Sequence, residues 1–438
     1  HTIALASVLP TIAGTLTIDG YTQPGSQPNT LTPEEGGLDT VLAIEIAGTG
    51  SYGFLIQPNA TLTVQGLALN RFDTAINGNG GNPDASHLYV YGNFIGTKVD
   101  GSAFDGAGNN GTAVRSNFSA AEIGGIEPWR RNLLSGNGGA GVLAGGPTRI
   151  LGNLIGTDAS GTLPIPNGTA TNWGGIIMSA RADVHIGGAG TASRNVISGN
   201  HPWGIGLWFA GNGPIGDFEI KGNFIGTDWS GTRPLPNGFP EPASAQYGGG
   251  IQIQSSGSAD AYPIGGFGAG EANVIAYNDG SAITTVGYTN AYFDELGNEM
   301  HHNRGVGGAN VDIGNSGPTP NDADDADTGA NGVQNYPEII AASQSGDTLT
   351  VTYRVDTAPA NAAYPLRIDF HRYIHRGAGT LIAQDEYPLS AAQQERTVTL
   401  DLPPGTSGIP FVVSATDANG YSSELGGAWD VIFEDDFE

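Results

Sequence analysis

Cysteine is absent from the 438 residues, which removes disulfides, thiolate metal sites and cysteine nucleophiles together. Positive charge is scarce. Lys plus Arg number 16 against 43 Asp plus Glu, a formal net charge of -27, and Lys98 and Lys221 are the only lysines. Such a surface repels a nucleic-acid backbone and an anionic membrane, so neither is expected as a partner. No run approaches the roughly 18 apolar residues that span a bilayer, and the chain is expected to be soluble. Long helices are disfavoured by 71 Gly and 26 Pro, because interior Gly costs about 1 kcal/mol against Ala and Pro about 3. Charged residues are 13% of the chain, below the usual share of about 25%. The 38% of hydrophobic residues, with 6 Trp, 15 Tyr and 15 Phe, supply a large core, and the length allows one long domain plus a small one. The first residue is His1 rather than Met, as expected of a processed or trimmed N-terminus.

What the chain does contain is a repeat. GNFIGTKVDGS from Gly92, GNLIGTDASGT from Gly152 and GNFIGTDWSGT from Gly222 are near copies. Interleaved with them are NLLSGN at Asn132, NVISGN at Asn195 and NVIAYN at Asn273, each preceded by an IGG beginning at Ile123, Ile186 or Ile264. The leading asparagines fall at 93, 132, 153, 195, 223, 273 and, from GNEMHHN, 298. Each coil divides into three short strands. Around Asn195 these are GGIIMS, DVHI and NVIS, and the next coil repeats them as GIGLWF, FEIK and NFIG. Strands of three to five residues between Gly-rich turns, recurring once per coil, describe a solenoid rather than a sandwich. Ile176, Met178, Ile205, Leu207, Phe209, Ile251 and Ile253 are the expected inward positions. The recurrent Asn tolerates the left-handed backbone of a tight turn. At about 4.8 Å per coil, its side chains can also bond to one another in a ladder.

An Asn ladder with three strands per coil resembles the right-handed parallel β-helix proteins, the architecture of pectate lyases, polygalacturonases and phage tailspikes. TIDGYTQPGSQPNT from Thr17, the GNFIGT and NVISGN copies, and SATDANGYSSE from Ser414 look like a family of large secreted bacterial β-helix repeat proteins. The resemblance implies an all-β fold, a secreted or cell-surface location, a polysaccharide partner, and trimers in many members.

The expected organisation is a right-handed parallel β-helix over 1–320, with 1–50 forming its N-terminal cap and first coils, then an acidic junction over 321–336. Strand-like runs at 348–355, 366–372, 397–402 and 410–415 suggest a small antiparallel sandwich of immunoglobulin or fibronectin type over 337–430. An acidic, mobile tail is expected over 431–438.

Residues that break the repeat are the candidates for chemistry. Asp158 and Asp228 of the GTDxSGT copies recur and are read as turn formers. Aligning SGNGG, SGNHPW, AYNDGS and HHNRGV places Gly138, His201, Asp279 and Arg304 in one column, with the 228–249 insert contributing Glu241 and Tyr247. Glu241 and Asp279 would form the carboxyl pair of a glycoside hydrolase, with Arg304 holding Asp279 ionised and His201 assisting the acid. Trp173, Trp203, Trp208 and Trp229, with Tyr247, Gln252 and Gln254, would form a saccharide platform of ring faces and amides. Asp322, Asp324, Asp325 and Asp327 offer oxygen ligands for a structural Ca²⁺, while catalysis requires no cofactor. No zinc spacing exists, and the adjacent His301 and His302 would point opposite ways in an extended strand. The favoured function is a secreted glycoside hydrolase. A non-catalytic carbohydrate-binding or adhesion protein and a polysaccharide lyase are the alternatives.

Overall fold

Within the short strands one side chain turns inward and the next outward, and the inward ones decide the architecture. The computed structural model describes residues 1–438 except 79–84, 105–107, 118, 170–172, 180–181, 211–215, 240–247, 257–259, 288–290, 407, 430–431 and 434–438. Among the described residues there is no α-helix, only strands and short 3-10 turns. One coil runs through Ile176–Met178, Val184–Gly187 and Val196–Ile197, and the next through Trp203–Ala210, Phe218–Lys221 and Phe224–Ile225. Each strand pairs in parallel with its counterpart one coil on, as in Ile176↔Ile205, Val184↔Phe218 and Val196↔Phe224. The result is a parallel β-helix of three sheets. The first-strand and second-strand sheets hold nine strands each, and the third-strand sheet continues into C-terminal strands to reach thirteen.

Columns of equivalent side chains fill the interior. Ile176, Ile205, Ile251 and Ile283 stack in register and are fully buried, so the apolar surface is removed from water continuously along the axis. The IGG signature also has a steric cause. Gly187 has φ 76°, and a Cβ there would lie 2.1 Å from the Lys221 carbonyl of the next coil, so a side chain is excluded.

Two asparagine ladders run along the solenoid from Asn93 and Asn109 to its C-terminal coils. The expected one, between second and third strands, links Asn93, Asn132, Asn153, Asn195, Asn223, Asn273 and Asn298 through Nδ2 to Oδ1 bonds. Each Nδ2 also caps a carbonyl inside the helix, as Asn195 does for Ile150 at 2.7 Å. A second ladder between third and first strands links Asn109, Asn137, Asn167, Asn200, Asn237, Asn278, Asn303 and Asn310. It was missed because two rungs, Asn167 and Asn237, come from the PNG that closes each GTDxSGT hairpin rather than from the NVISGN motif. The hairpins themselves are held as expected: the Asp158 carboxylate accepts from the backbone of Thr162 and Leu163, and that of Asp228 from Ser230 and Arg233.

At the N-terminal end Thr2–Ala4 pairs with Glu45–Ala47, and Thr15–Asp19 with Thr61–Gln65. The intervening segment straps across the outside of the third-strand sheet. There Leu38 and Leu42 join Phe94, Leu133, Leu154 and Val196 in a separate apolar cluster. Buried Arg131 fastens the strap by donating to the carbonyls of Leu31, Gly36 and Gly37.

At the other end Gly377–Tyr387 joins Glu299–His301 in antiparallel fashion through Met300↔Ala378. It continues through Leu366–Ile374 to Phe411–Thr416. Opposite lies an antiparallel sheet of Arg396–Asp401, Thr348–Arg354 and Glu338–Ser345, with Ile432–Phe433 along its edge. Leu349, Val351, Tyr353, Phe370, Tyr387 and Phe411 fill the space between.

Candidate functional site

The outward residues of the second-strand sheet make the most chemically varied surface on the solenoid. Register sets Tyr89, Glu122, Arg149, His185 and Glu219 side by side, about 4.8 Å apart from one coil to the next. A parallel row brings Asp183 and Asp217 alongside, and all of these residues but Glu219 line a cleft of about 270 Å³ with His87 and Thr148. His185 lies between two carboxylates, with Nε2 3.2 Å from Asp217 and Nδ1 3.6 Å from Glu219. At one end the aromatics form a chain. His87 stacks on Tyr89 at 6.4 Å, Tyr89 meets Tyr91 at 6.1 Å, and Tyr91 meets Trp129 edge-on at 5.6 Å. Arg130 lies over both Tyr91 and Trp129 and donates to Glu122 at 2.7 Å. Tyr91 donates to Glu122 at 2.9 Å. Sequence reading passed over this row although its signal was present. In HLYVY, AAEIG, TRIL, VHIG and FEIK one outward position carries Tyr, Glu, Arg, His and Glu in turn. Each residue alone is unremarkable, so the signal lies only in their register.

The column of His201, Asp279 and Arg304 is present in the backbone. Gly138, Gly168, His201, Gly238, Asp279 and Arg304 each donate an N–H to the ladder Asn one coil back. His201 and Asp279 are therefore two coils apart, with Gly238 between them. A Cβ on Gly238 would come within 2.5 Å of that of Asp279, so no larger residue separates the two. Arg304 pairs with Asp279 at 3.0 Å. The His201 ring rests against Phe239, and burial holds its pKa below the usual imidazole value. Glu241 and Tyr247 lie outside the described residues.

The tryptophans separate into three environments. Trp173 and Trp208 pack together with Leu143 and Ile177 on the outside of the first-strand sheet. The Trp208 indole folds back over Gly206 and donates from Nε1 to Gln252 at 2.7 Å, while Gln254 sits beside Trp208 in register. These four share one face. Trp203 does not: it is 3% exposed and opens the strand Trp203–Ala210 with the same parity as the inward Ile205 and Leu207. Its ring occupies the space left by Gly249 of the next coil. Trp229 is on another side altogether, packed under the N-terminal strap with Leu154 and Val196.

Asp322, Asp325 and Asp327 each bring a carboxylate oxygen within 4.8 Å of the others, a donor set that suits a hard cation with oxygen ligands. Asp325 also accepts from Gln334, Thr357 and the Asn335 N–H. Asp324 departs from the expected set, because its carboxylate accepts from Gln393 instead. His301 and His302 correct another expectation. His302 has φ 57°, so the strand alternation breaks and the two Nδ1 atoms face each other at 2.9 Å.

No known protein family matches the sequence, and no curated protein is significantly similar to it. The fold and its surface therefore define the class: a parallel β-helix with paired asparagine ladders and outward rows of aromatic and titratable side chains. No helix among the described residues is long and apolar enough to cross a membrane.

Proposed function

We propose that the chain is a secreted, pectate lyase-like β-helix protein that binds a polysaccharide along the outer face of its second-strand sheet. The observation that carries this reading is the aligned row of Tyr89, Glu122, Arg149 and His185 in an open cleft beside stacked aromatics, continued in register by Glu219. A linear polymer meets repeated subsites when equivalent positions recur at each coil. Ring faces take the apolar faces of sugars, and the interspersed acids, Arg and His bond hydroxyls. Hydrolysis is the second reading, favoured by Asp217 and Glu219. Asp217 immediately precedes the strand Phe218–Lys221 that carries Glu219, and inverting glycosidases work with a pair of carboxyl groups set about 6.5 to 9.5 Å apart. His185 bridges the pair.

The test is a polysaccharide panel followed for retention, reducing-sugar release and absorbance near 235 nm. Tyr89→Ala and Arg149→Ala should each weaken retention at least tenfold. If Asp217→Asn and Glu219→Gln abolish sugar release while sparing retention, hydrolysis is established. Absorbance near 235 nm would instead identify a lyase. Unchanged retention in both the Tyr89 and Arg149 variants would sink the assignment of this face.

A further inference from the structure

At four rungs of the second ladder, Asn137, Asn200, Asn278 and Asn303, the preceding residue adopts a left-handed backbone, and the two earlier coils place glycine there, Gly136 at φ 76° and Gly199 at φ 75°. In the last two coils the same position is Tyr277 at φ 63° and His302 at φ 57°, bulky residues in a conformation that disfavours them. Facing them is the hairpin turn between Leu366–Ile374 and Gly377–Tyr387. Its two central residues, His375 at φ 40° and Arg376 at φ 64°, occupy positions where Asn-Gly is the favoured pair. Four strained side chains thus converge, and their rings touch: Tyr277 meets His302 at 4.8 Å, and His302 stacks on His375 at 4.2 Å. With Arg304, Asn303, Pro234 and Pro236 they line a cleft of about 490 Å³ that has no carboxylate in its wall among the described residues. In a chain of net charge -27, a cleft walled by two Arg and two His is the opposite of the prevailing surface.

We infer that this cleft is a binding site for an oxyanion, carried as a carboxylate or sulfate on a sugar or present as a free inorganic anion. Arg376 and Arg304 supply fixed charge, Arg304 being shared with Asp279 at 3.0 Å. His302 supplies charge on demand. Burial, and then the neighbouring His375, hold His302 below the usual imidazole pKa, so it is neutral until an anion arrives and favours its proton. The third imidazole, His301, is pushed down to about 4 by burial and by His302 and His375, and stays neutral. Anion binding therefore takes up protons and strengthens as pH falls from 8 towards 5.5. A transition metal would show the opposite pH dependence, since it competes with protons for the same nitrogens.

Calorimetry of the full chain with inorganic phosphate, sulfate, glucuronate and, as the neutral control, glucose tests the inference. At least one anion should bind at pH 5.5 more tightly than at pH 8, with proton uptake, and glucose should not. Preference for glucuronate over phosphate and sulfate identifies an acidic sugar as the source, and the reverse identifies a free anion. His302→Gly and Arg376→Gly restore the residue that each turn favours, so both should fold with unchanged or higher Tm while anion affinity falls at least tenfold. Affinity unchanged in both variants, no anion bound by the wild type, or Ni²⁺ binding without anion binding would overturn it.

Discussion

The two ends of the solenoid are finished in different ways. At the C-terminal end every repeating feature is terminated by a specific group. Glu295 takes the place of the next Asn in the first ladder, its Oε1 accepting from the backbone and side-chain amide of Asn298 at 2.6 and 2.8 Å. Asn310 ends the second ladder by donating to the Arg376 carbonyl. Gly377–Tyr387 covers the exposed edge of the third-strand sheet. Glu424 accepts the backbone N–H groups of Ile313 and Thr319, tying the segment beyond the last coil to the antiparallel strands. At the N-terminal end no such set of terminators exists among the described residues. Thr2–Ala4 is an edge strand with Ile3 48% exposed, and Leu16 on Thr15–Asp19 is 41% exposed. An open edge presents unpaired N–H and C=O groups, so coil-to-coil stability should be graded from one end to the other.

Cutting a ladder between the two ends should have the largest effect. Asn195 donates to the Ile150 carbonyl and to Asn223, and accepts from the N–H and Nδ2 of Asn153. Asn195→Ala strands these buried groups without water, at a cost of about 3 to 5 kcal/mol. Denaturant unfolding should also change from one transition to two, with the N-terminal coils melting first. A single transition shifted by less than 1 kcal/mol would mean that the ladder does not couple the ends.

Glu424 gives a smaller effect confined to the terminated end. Burial, aided by Asp312, pushes its carboxyl up to about 7, against an unfolded value of about 4.3. Between those values the folded chain holds a proton that the unfolded chain has lost, so this contribution to stability is full below about pH 4.3 and is lost as pH rises through 7. Relative to Glu424→Gln, the wild type should lose on the order of 1 to 2 kcal/mol between pH 5 and pH 8, read from Tm at the two pH values. Parallel curves would show that Glu424 is ionised throughout.

How much of this was legible in the sequence depends on whether a signal repeats. The first ladder, the inward Ile176 and Ile205, and the strand order follow from a motif recurring once per coil. The second ladder was half hidden because Asn167 and Asn237 sit behind hairpins whose lengths differ from those of the SGN turns. Trp203 is expected in a loop ahead of GIGLWF, but the strand begins at the tryptophan itself, which gives it the inward parity of Ile205 and Leu207. Trp229 could not be placed from its repeat position, because what covers it is a strap from residues more than 180 positions away in sequence. The row of Tyr89, Glu122, Arg149, His185 and Glu219 becomes a site only when five unlike residues are brought into register, which is a property of stacking rather than of any one strand.

The smallest effect is expected at the open end, and it discriminates between two accounts of that end. Leu16 is half exposed on an edge strand, so Leu16→Ser removes little buried surface and should change stability by less than about 0.5 kcal/mol. If Leu16 and Ile3 are simply unshielded, self-association of the purified chain should fall in the variant while unfolding is unaffected. Amides of Thr2–Ala4 and Thr15–Asp19 should then exchange faster than those of Glu299–His301 in both proteins, because opening the first coil breaks one interface whereas opening the last also breaks the contact with Gly377–Tyr387. Equal protection at the two ends would mean that the side-chain terminators at Glu295, Asn310 and Glu424 add nothing beyond what stacking alone provides.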